Sequence, residues 1–290
     1  MQRFTVSLCR RAVKKAVRRG ALPDEYLLYD DPRRKVTHAD LLCEGTVRGR
    51  DWESFSSVDE WIEWLGWSTV LLDERDYLTA AVHALDLAPR IPATDYGTTR
   101  QRDLGQLLTD AIRGFLGEIA LAKWLGERFE VRVVLDYRKG PLPEFLPSDI
   151  RLVNGRPPRL NVSIKTTKLR GIWLDIPYSQ IENSHVFVLV RVGVSREHFL
   201  AFLKEISAIK DKILSKAREL GIISEDDLAS IWDAIPEFTK IPACIAGFFD
   251  KREYEDAVKE RTSILLADGE EKKRFVVNKF VGYWHPEQDK

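Results

Sequence analysis

Amides and sulfur are scarce in this chain: four Asn, five Gln, three Cys and one Met stand among 290 residues, of which 31% are charged. That depletion, beside that enrichment, is the pattern expected of a thermophile's protein. Cys9, Cys43 and Cys244 are far apart and odd in number. They make no CxxC pair, and the five histidines make neither an HExxH nor a zinc-finger spacing, which argues against a zinc site. The chain contains no P-loop and no GxGxxG. No stretch approaches the ~18 consecutive apolar residues of a membrane span, and no hydrophobic signal core follows the basic start, so no membrane association and a cytoplasmic location are expected. Internal repeats and low-complexity linkers are absent as well.

Formal net charge is zero, but the balance is uneven. The first twenty residues hold Arg3, Arg10, Arg11, Lys14, Lys15, Arg18 and Arg19 and no acid, which leaves 38 basic against 45 acidic side chains in the remainder. Arg11, Lys14, Lys15 and Arg18 form one helical stripe opposite Val13, Ala16 and Val17. Such a stripe suits contact with phosphates through counterion release; a solvated helix face is the first alternative and a transit peptide the second. Trp52, Trp61, Trp64 and Trp67 recur at near-helical spacing, which favours a core or interface face over base stacking.

At 44% hydrophobic, with 13 Phe and 8 Trp, the chain has material for one large core or two modest ones. Residues 1–100 read as a mainly helical region, closed by Pro89, Pro92 and the polar run from Asp95 to Thr99, with a role in DNA recognition or dimerisation. Residues 101–290 read as the chemical domain, with a helical insertion at about 196–235. Ser195 is a candidate cap for a helix running to Gly221, and Ser224 for another ending before Pro236. The apolar run from His185 to Val192 has the character of a central strand. Ile172–Ile176 reads as a further strand, and 241–249, 263–267 and 274–284 as closing strands around a short helix at 254–260.

Within this second region the apolar residues Leu104, Leu107, Leu108, Ala111, Ile112, Phe115, Ile119, Ala122 and Leu125 form a helical stripe, and Glu118 falls inside it. Burying an unpaired carboxylate is costly enough that such a residue normally serves a cation, a metal or a hydrogen bond. A buried ion pair with Lys165 is the alternative account. Glycines at 114 and 117 would let the helix approach other backbone closely. Next, 148–153 and 160–167 alternate apolar and polar residues about the turn-forming run from Asn154 to Pro158, which predicts a β-hairpin with Asp149 and Lys165 on one face.

Gly117-Glu118 on a helix, then Pro147-Ser148-Asp149, then Ser163-Ile164-Lys165-Thr166-Thr167, resembles the PD-(D/E)xK nuclease superfamily, over roughly residues 100 to 200 and with a possible tail at 246–249. The resemblance implies a restriction-endonuclease-like α/β fold, a central mixed sheet flanked by helices. It also implies that Glu118 and Asp149 bind Mg²⁺, with Mn²⁺ able to substitute, and that Lys165 orients or activates the attacking water. Two features depart from the family pattern: the proline stands two residues before Asp149, and Ser163 occupies the place of the second acid. Some restriction enzymes of the family carry serine there and recruit a glutamate from a nearby helix, a role for Glu118 or, alternatively, Glu182.

The chemistry explains these residue types. A phosphodiester shields its phosphorus with negative oxygens, so hydrolysis needs cations to neutralise developing charge and a more nucleophilic water. Mg²⁺ takes hard oxygen ligands and keeps several waters, which suits one or two carboxylates plus a substrate phosphate. Ser163, Thr166 and Thr167 would line such a site, and Lys168 and Arg170 would join Arg11, Lys14, Lys15 and Arg18 as DNA contacts. The expectation is a metal-dependent endonuclease of double-stranded DNA, most simply a restriction-type homodimer. A structure-specific repair or recombination nuclease and a non-catalytic nuclease-derived DNA-binding protein are the alternatives.

Overall fold

The computed structural model describes residues 4–49, 51–87, 103–138, 148–171, 174–177, 183–251, 259–265 and 271–277. Eight α-helices and eleven strands stand among them. In chain order they are α1 (Val6–Arg18), β1 (Tyr29–Asp31), β2 (Val36–Thr37), α2 (His38–Gly49), α3 (Val58–Ser68), β3 (Thr69–Leu72), α4 (Glu74–Leu87), α5 (Leu104–Phe129), β4 (Val133–Leu135) and β5 (Ile150–Val153). There follow β6 (Val162–Lys168), β7 (Leu174–Pro177), β8 (Val186–Val192), α6 (Arg196–Lys204), α7 (Ser215–Glu219), α8 (Glu225–Asp233), β9 (Ile241–Asp250), β10 (Lys259–Leu265) and β11 (Glu271–Val277).

A mixed sheet in the order β3-β9-β8-β6 organises the molecule, with β6 parallel to β8 and the other pairs antiparallel. Its strands alternate between two cores. Val188, Val190 and Val192 of β8, with Ile241, Ala243 and Ile245 of β9, pack on the face covered by α4 and α5, whereas Cys244 and Leu169 join the opposite core of α1, α2 and α3. A strand enclosed on both faces cannot alternate apolar with polar, which is why β8 reads as a continuous apolar run and lies in the sheet interior.

The N-terminal hundred residues do not stand apart from the rest. β3 is an edge strand of the main sheet and α4 packs along α5, so the boundary near residue 100 cuts through one core. β3 escaped sequence reading because its four residues follow the Trp-bearing helix directly, with Thr69 serving as the C-cap of α3. Trp61 and Trp64 are buried, and Trp67 packs edge-on against Trp124 and Phe129, as the core reading of the tryptophans requires.

Three further expectations are corrected. The segments 148–153 and 160–167 do not form a hairpin ladder: β5 pairs with β4, and β6 pairs with β8. The Asn154-Gly155 turn, with both residues at positive φ, closes on Arg156 immediately, so the chain leaves β5 before it can run alongside β6. The helix expected from Ser195 to Gly221 is broken into α6, a π-helical turn at Ile209–Leu214 and α7. The short helix at 254–260 is corrected where the chain is described, since Lys259 and Glu260 begin β10; residues 254–258 lie outside the described residues. Ser224 does cap α8, and Gly221 ends the preceding helix at φ +69°.

Candidate active site

α5 brings the glutamate. Asp103 caps it by accepting the Gln106 N–H at 2.7 Å, and its 26 residues run past the sheet. Its most buried line is Ile112, Leu116, Ala120 and Trp124, with Phe115, Ile119 and Leu125 half-buried on the flank and Leu104 mainly exposed. Glu118 lies on that flank, half-buried. The glycine that matters is Gly117: a Cβ there would lie 1.8 Å from Thr166 Oγ1, so only glycine lets α5 settle on β6 at this point. Thr166 in turn donates to the Gly114 carbonyl at 3.2 Å. The cross-connection places the Glu118 turn of the helix next to the Lys165 stretch of the strand.

Asp149 stands just before β5, and its contacts replace the missing ladder. Its N–H donates to the Val162 carbonyl at 2.8 Å, and its carboxylate accepts the Ile164 N–H at 2.5 Å and a bond from the Ser163 hydroxyl. Ser163 is buried and serves as a donor to the aspartate where the family pattern has an acid. Ser148 braces the same junction, its hydroxyl reaching the Ile150 carbonyl at 2.9 Å and the Val162 N–H at 3.2 Å.

Electrostatics tie the three sequence-predicted residues together. Burial pushes the Glu118 carboxyl well above the usual carboxylate range, the Asp149 charge pushes it further, and Lys165 pulls it back. Asp149 is likewise raised, chiefly by burial, against the opposing pull of Lys165 and the Ile164 N–H. Two half-buried carboxylates within electrostatic reach of each other, with one ammonium acting on both, make a site that is short of positive charge. That is an electrostatic setting in which a dication would be held.

Asp136 completes the local field, and sequence reading missed it. It follows β4 and its N–H donates to the Asp149 carbonyl at 2.9 Å, so β4 carries it to the aspartate. Arg138 grips its carboxylate at 2.5 and 2.8 Å, which holds that group below the usual range, and its negative charge raises both Glu118 and Asp149. The available signal was the apolar run Val133-Val134-Leu135 ending in an acid. Tyr137 lies within reach of the Glu118 charge and stacks on His83 at 3.7 Å.

No family model, curated protein or solved structure matches the chain. The donor set of the site is hard oxygen, as Mg²⁺ or Mn²⁺ requires, although among the described residues no group of three or more His, Cys, Asp or Glu gathers as a metal cage. Glu182, the alternative ligand, lies outside the described residues. Thr166 and Thr167 line the cleft beyond Lys165, together with Lys168 and Arg170. Arg11, Lys14, Lys15 and Arg18 are exposed on α1 opposite buried Val13, Ala16 and Val17, and Arg11 and Lys15 line a separate groove between α1 and α3.

Proposed function

We propose that this chain is a metal-dependent phosphodiester hydrolase acting on DNA, with a restriction-endonuclease-like fold. The observation that carries the reading is the electrostatic grouping of Glu118, Asp149 and Lys165 on α5, the entry to β5 and β6, in the family's chain order. Glu118 and Asp149 would hold Mg²⁺, which supplies charge neutralisation at the phosphate and a more acidic water. Lys165 would orient the attacking water, and Ser163 keeps the Asp149 carboxylate turned toward β6. Asp136, committed to Arg138, adds negative potential without serving as a free ligand.

Incubation of supercoiled plasmid with the protein, with and without Mg²⁺ or Mn²⁺ and at elevated temperature, tests the proposal. Metal-dependent nicking or linearisation is expected. Discrete fragments would indicate restriction-type sequence reading, and cuts confined to branched or flapped DNA a structure-specific nuclease.

Ser163 favours one second reading, a DNA-binding protein without catalysis, because the position that supplies an acid in the family supplies only a hydroxyl here. Glu118→Gln and Glu182→Gln separate the cases through Mn²⁺ affinity and cleavage. Damage from Glu118→Gln fits the site described, damage from Glu182→Gln alone moves the metal toward the downstream segment, and indifference to both supports the non-catalytic reading.

A further inference from the structure

A second set of charges gathers at the far end of β6, and these are positive. Arg48 from the last turn of α2, Arg113 from α5, Lys168 at the end of β6 and Arg170 in the turn just after it line one cleft of about 540 Å³, with Thr166 and Thr167 among them. Three elements reach the cleft because their backbones meet closely. A Cβ at Gly45 of α2 would lie 2.7 Å from the Leu169 carbonyl oxygen and 3.0 Å from Arg170 Cα, and Gly117 gives α5 the corresponding approach to Thr166. Cleft and carboxylate site thus share the same strand and the same helix.

The cations are only partly compensated. Asp110 pairs with Arg113 at 2.8 Å, and Asp30 stands within electrostatic reach of Lys168, Arg170 and Arg113. Four cations therefore face two acids among the described residues. Burial lowers the Lys168 pKa, and repulsion from Arg113 and Arg170 lowers it further. Arg113 Nε is buried with no hydrogen-bond partner. Such crowding costs the free protein stability and is relieved when an anion enters. Arg48, Lys168 and Arg170 are exposed, so their charged ends remain accessible to a ligand.

We propose that this cleft holds backbone phosphates of the nucleic-acid strand that passes through the neighbouring carboxylate site. The ligand class rests on the phosphodiester-hydrolase reading. Lys168 lies three strand residues beyond Lys165, about 10 Å along β6, a distance that a few nucleotides of one strand cover. Contacts of this kind fix register without reading bases.

The test uses the full chain with Arg48→Gln, Lys168→Gln and Arg170→Gln combined, all exposed positions whose change leaves both cores intact. Binding of one labelled duplex is titrated at several salt concentrations in EDTA, so that nothing is cut. The slope of log K against log[salt] should fall in magnitude by about 2 to 3, at roughly 0.9 per lost contact, with affinity at 0.1 M salt reduced on the order of a hundredfold. In parallel, inorganic tripolyphosphate should raise the melting temperature of the parent and not of the triple variant. An unchanged slope overturns the proposal even if the parent cuts DNA. A reduced slope in a parent that never cuts retires the hydrolase reading and leaves the cleft standing. Protection by tripolyphosphate with an unchanged duplex slope reveals a small-anion site, and that result also overturns the strand assignment.

Discussion

At the scale of single residues, burial makes the Glu118 carboxylate a burden to the metal-free fold, and on the proposed reading the same burial suits it to a cation. Its carboxyl is raised above its unfolded value, so the fold is unpenalised below the unfolded carboxylate range near pH 4 and loses stability as pH rises through the folded value. Glu118→Gln should therefore raise the metal-free melting temperature by a few degrees, for about 1 kcal/mol or more, while abolishing activity. Calorimetry of both proteins in EDTA at pH 5 and pH 8 checks this. The stabilisation should be larger at pH 8, and a variant less stable than the parent at both pH values would contradict the role of the site. The histidines behave oppositely. His38 and His198 stack at 6.1 Å, and burial lowers their pKa values to about 4 and about 3, with His38 Nε2 lacking a hydrogen-bond partner and Asp30 standing 4.0 Å away. Both fold as neutral rings. Their contribution is intact above pH ~6.5 and is lost as pH falls toward 4, by up to about 3 kcal/mol for His38. His38→Gln should flatten the dependence of stability on pH across that window, which urea titrations at half-unit intervals will show.

Between elements, the decisive join is α5 on β6. Gly117→Ala drives a methyl group into Thr166, and overpacking of this kind costs about 1–3 kcal/mol. Because Lys165 and Thr166 are adjacent, the displacement should also lower activity by more than the stability loss alone explains. Adding Thr166→Ala removes the two closest atoms and should restore part of both, so a double-mutant cycle is expected to be strongly non-additive. Additive effects would mean that the helix adjusts elsewhere. This join also shows what the sequence made legible. Gly117, the helix carrying Glu118 and the apolar run of β8 follow from local pattern, whereas the pairing of β5 with β4 does not, since Val133-Val134-Leu135 is too short to announce a strand. Asp136 was hidden for the same reason. The broken helix after Ser195 escaped because nothing in its spacing distinguishes a π-helical turn from an α-helical one.

For the whole molecule, two cores share one sheet, and a disulfide fastens the N-terminal one. Cys9 of α1 and Cys43 of α2 are bonded with Cα atoms 5.7 Å apart, across 34 positions of sequence. Cysteine spacing could not reveal the pair, because connectivity depends on which helices pack together. Closing a loop of that length is worth up to about 4 kcal/mol in the chain-entropy account. Reduction with a phosphine, followed by thermal melting, should lower the melting temperature by several degrees, and the Cys9→Ser/Cys43→Ser variant should match the reduced parent and ignore the reductant. Because β3 belongs to the main sheet, loss of the N-terminal core should propagate to the carboxylate site, and a single melting transition is expected.

Lys165 carries the ammonium that acts on both Glu118 and Asp149, and the proposed chemistry turns on it. The most direct measurement is the rate of plasmid cleavage in Mg²⁺ by the parent and by Lys165→Ala, with duplex affinity measured on the same preparations. Lys165→Ala should cut at least ~10²-fold more slowly, the range for removing a group that positions the nucleophile, while binding the duplex within a few-fold of the parent. Equal cleavage by the two proteins would contradict the assignment of the site.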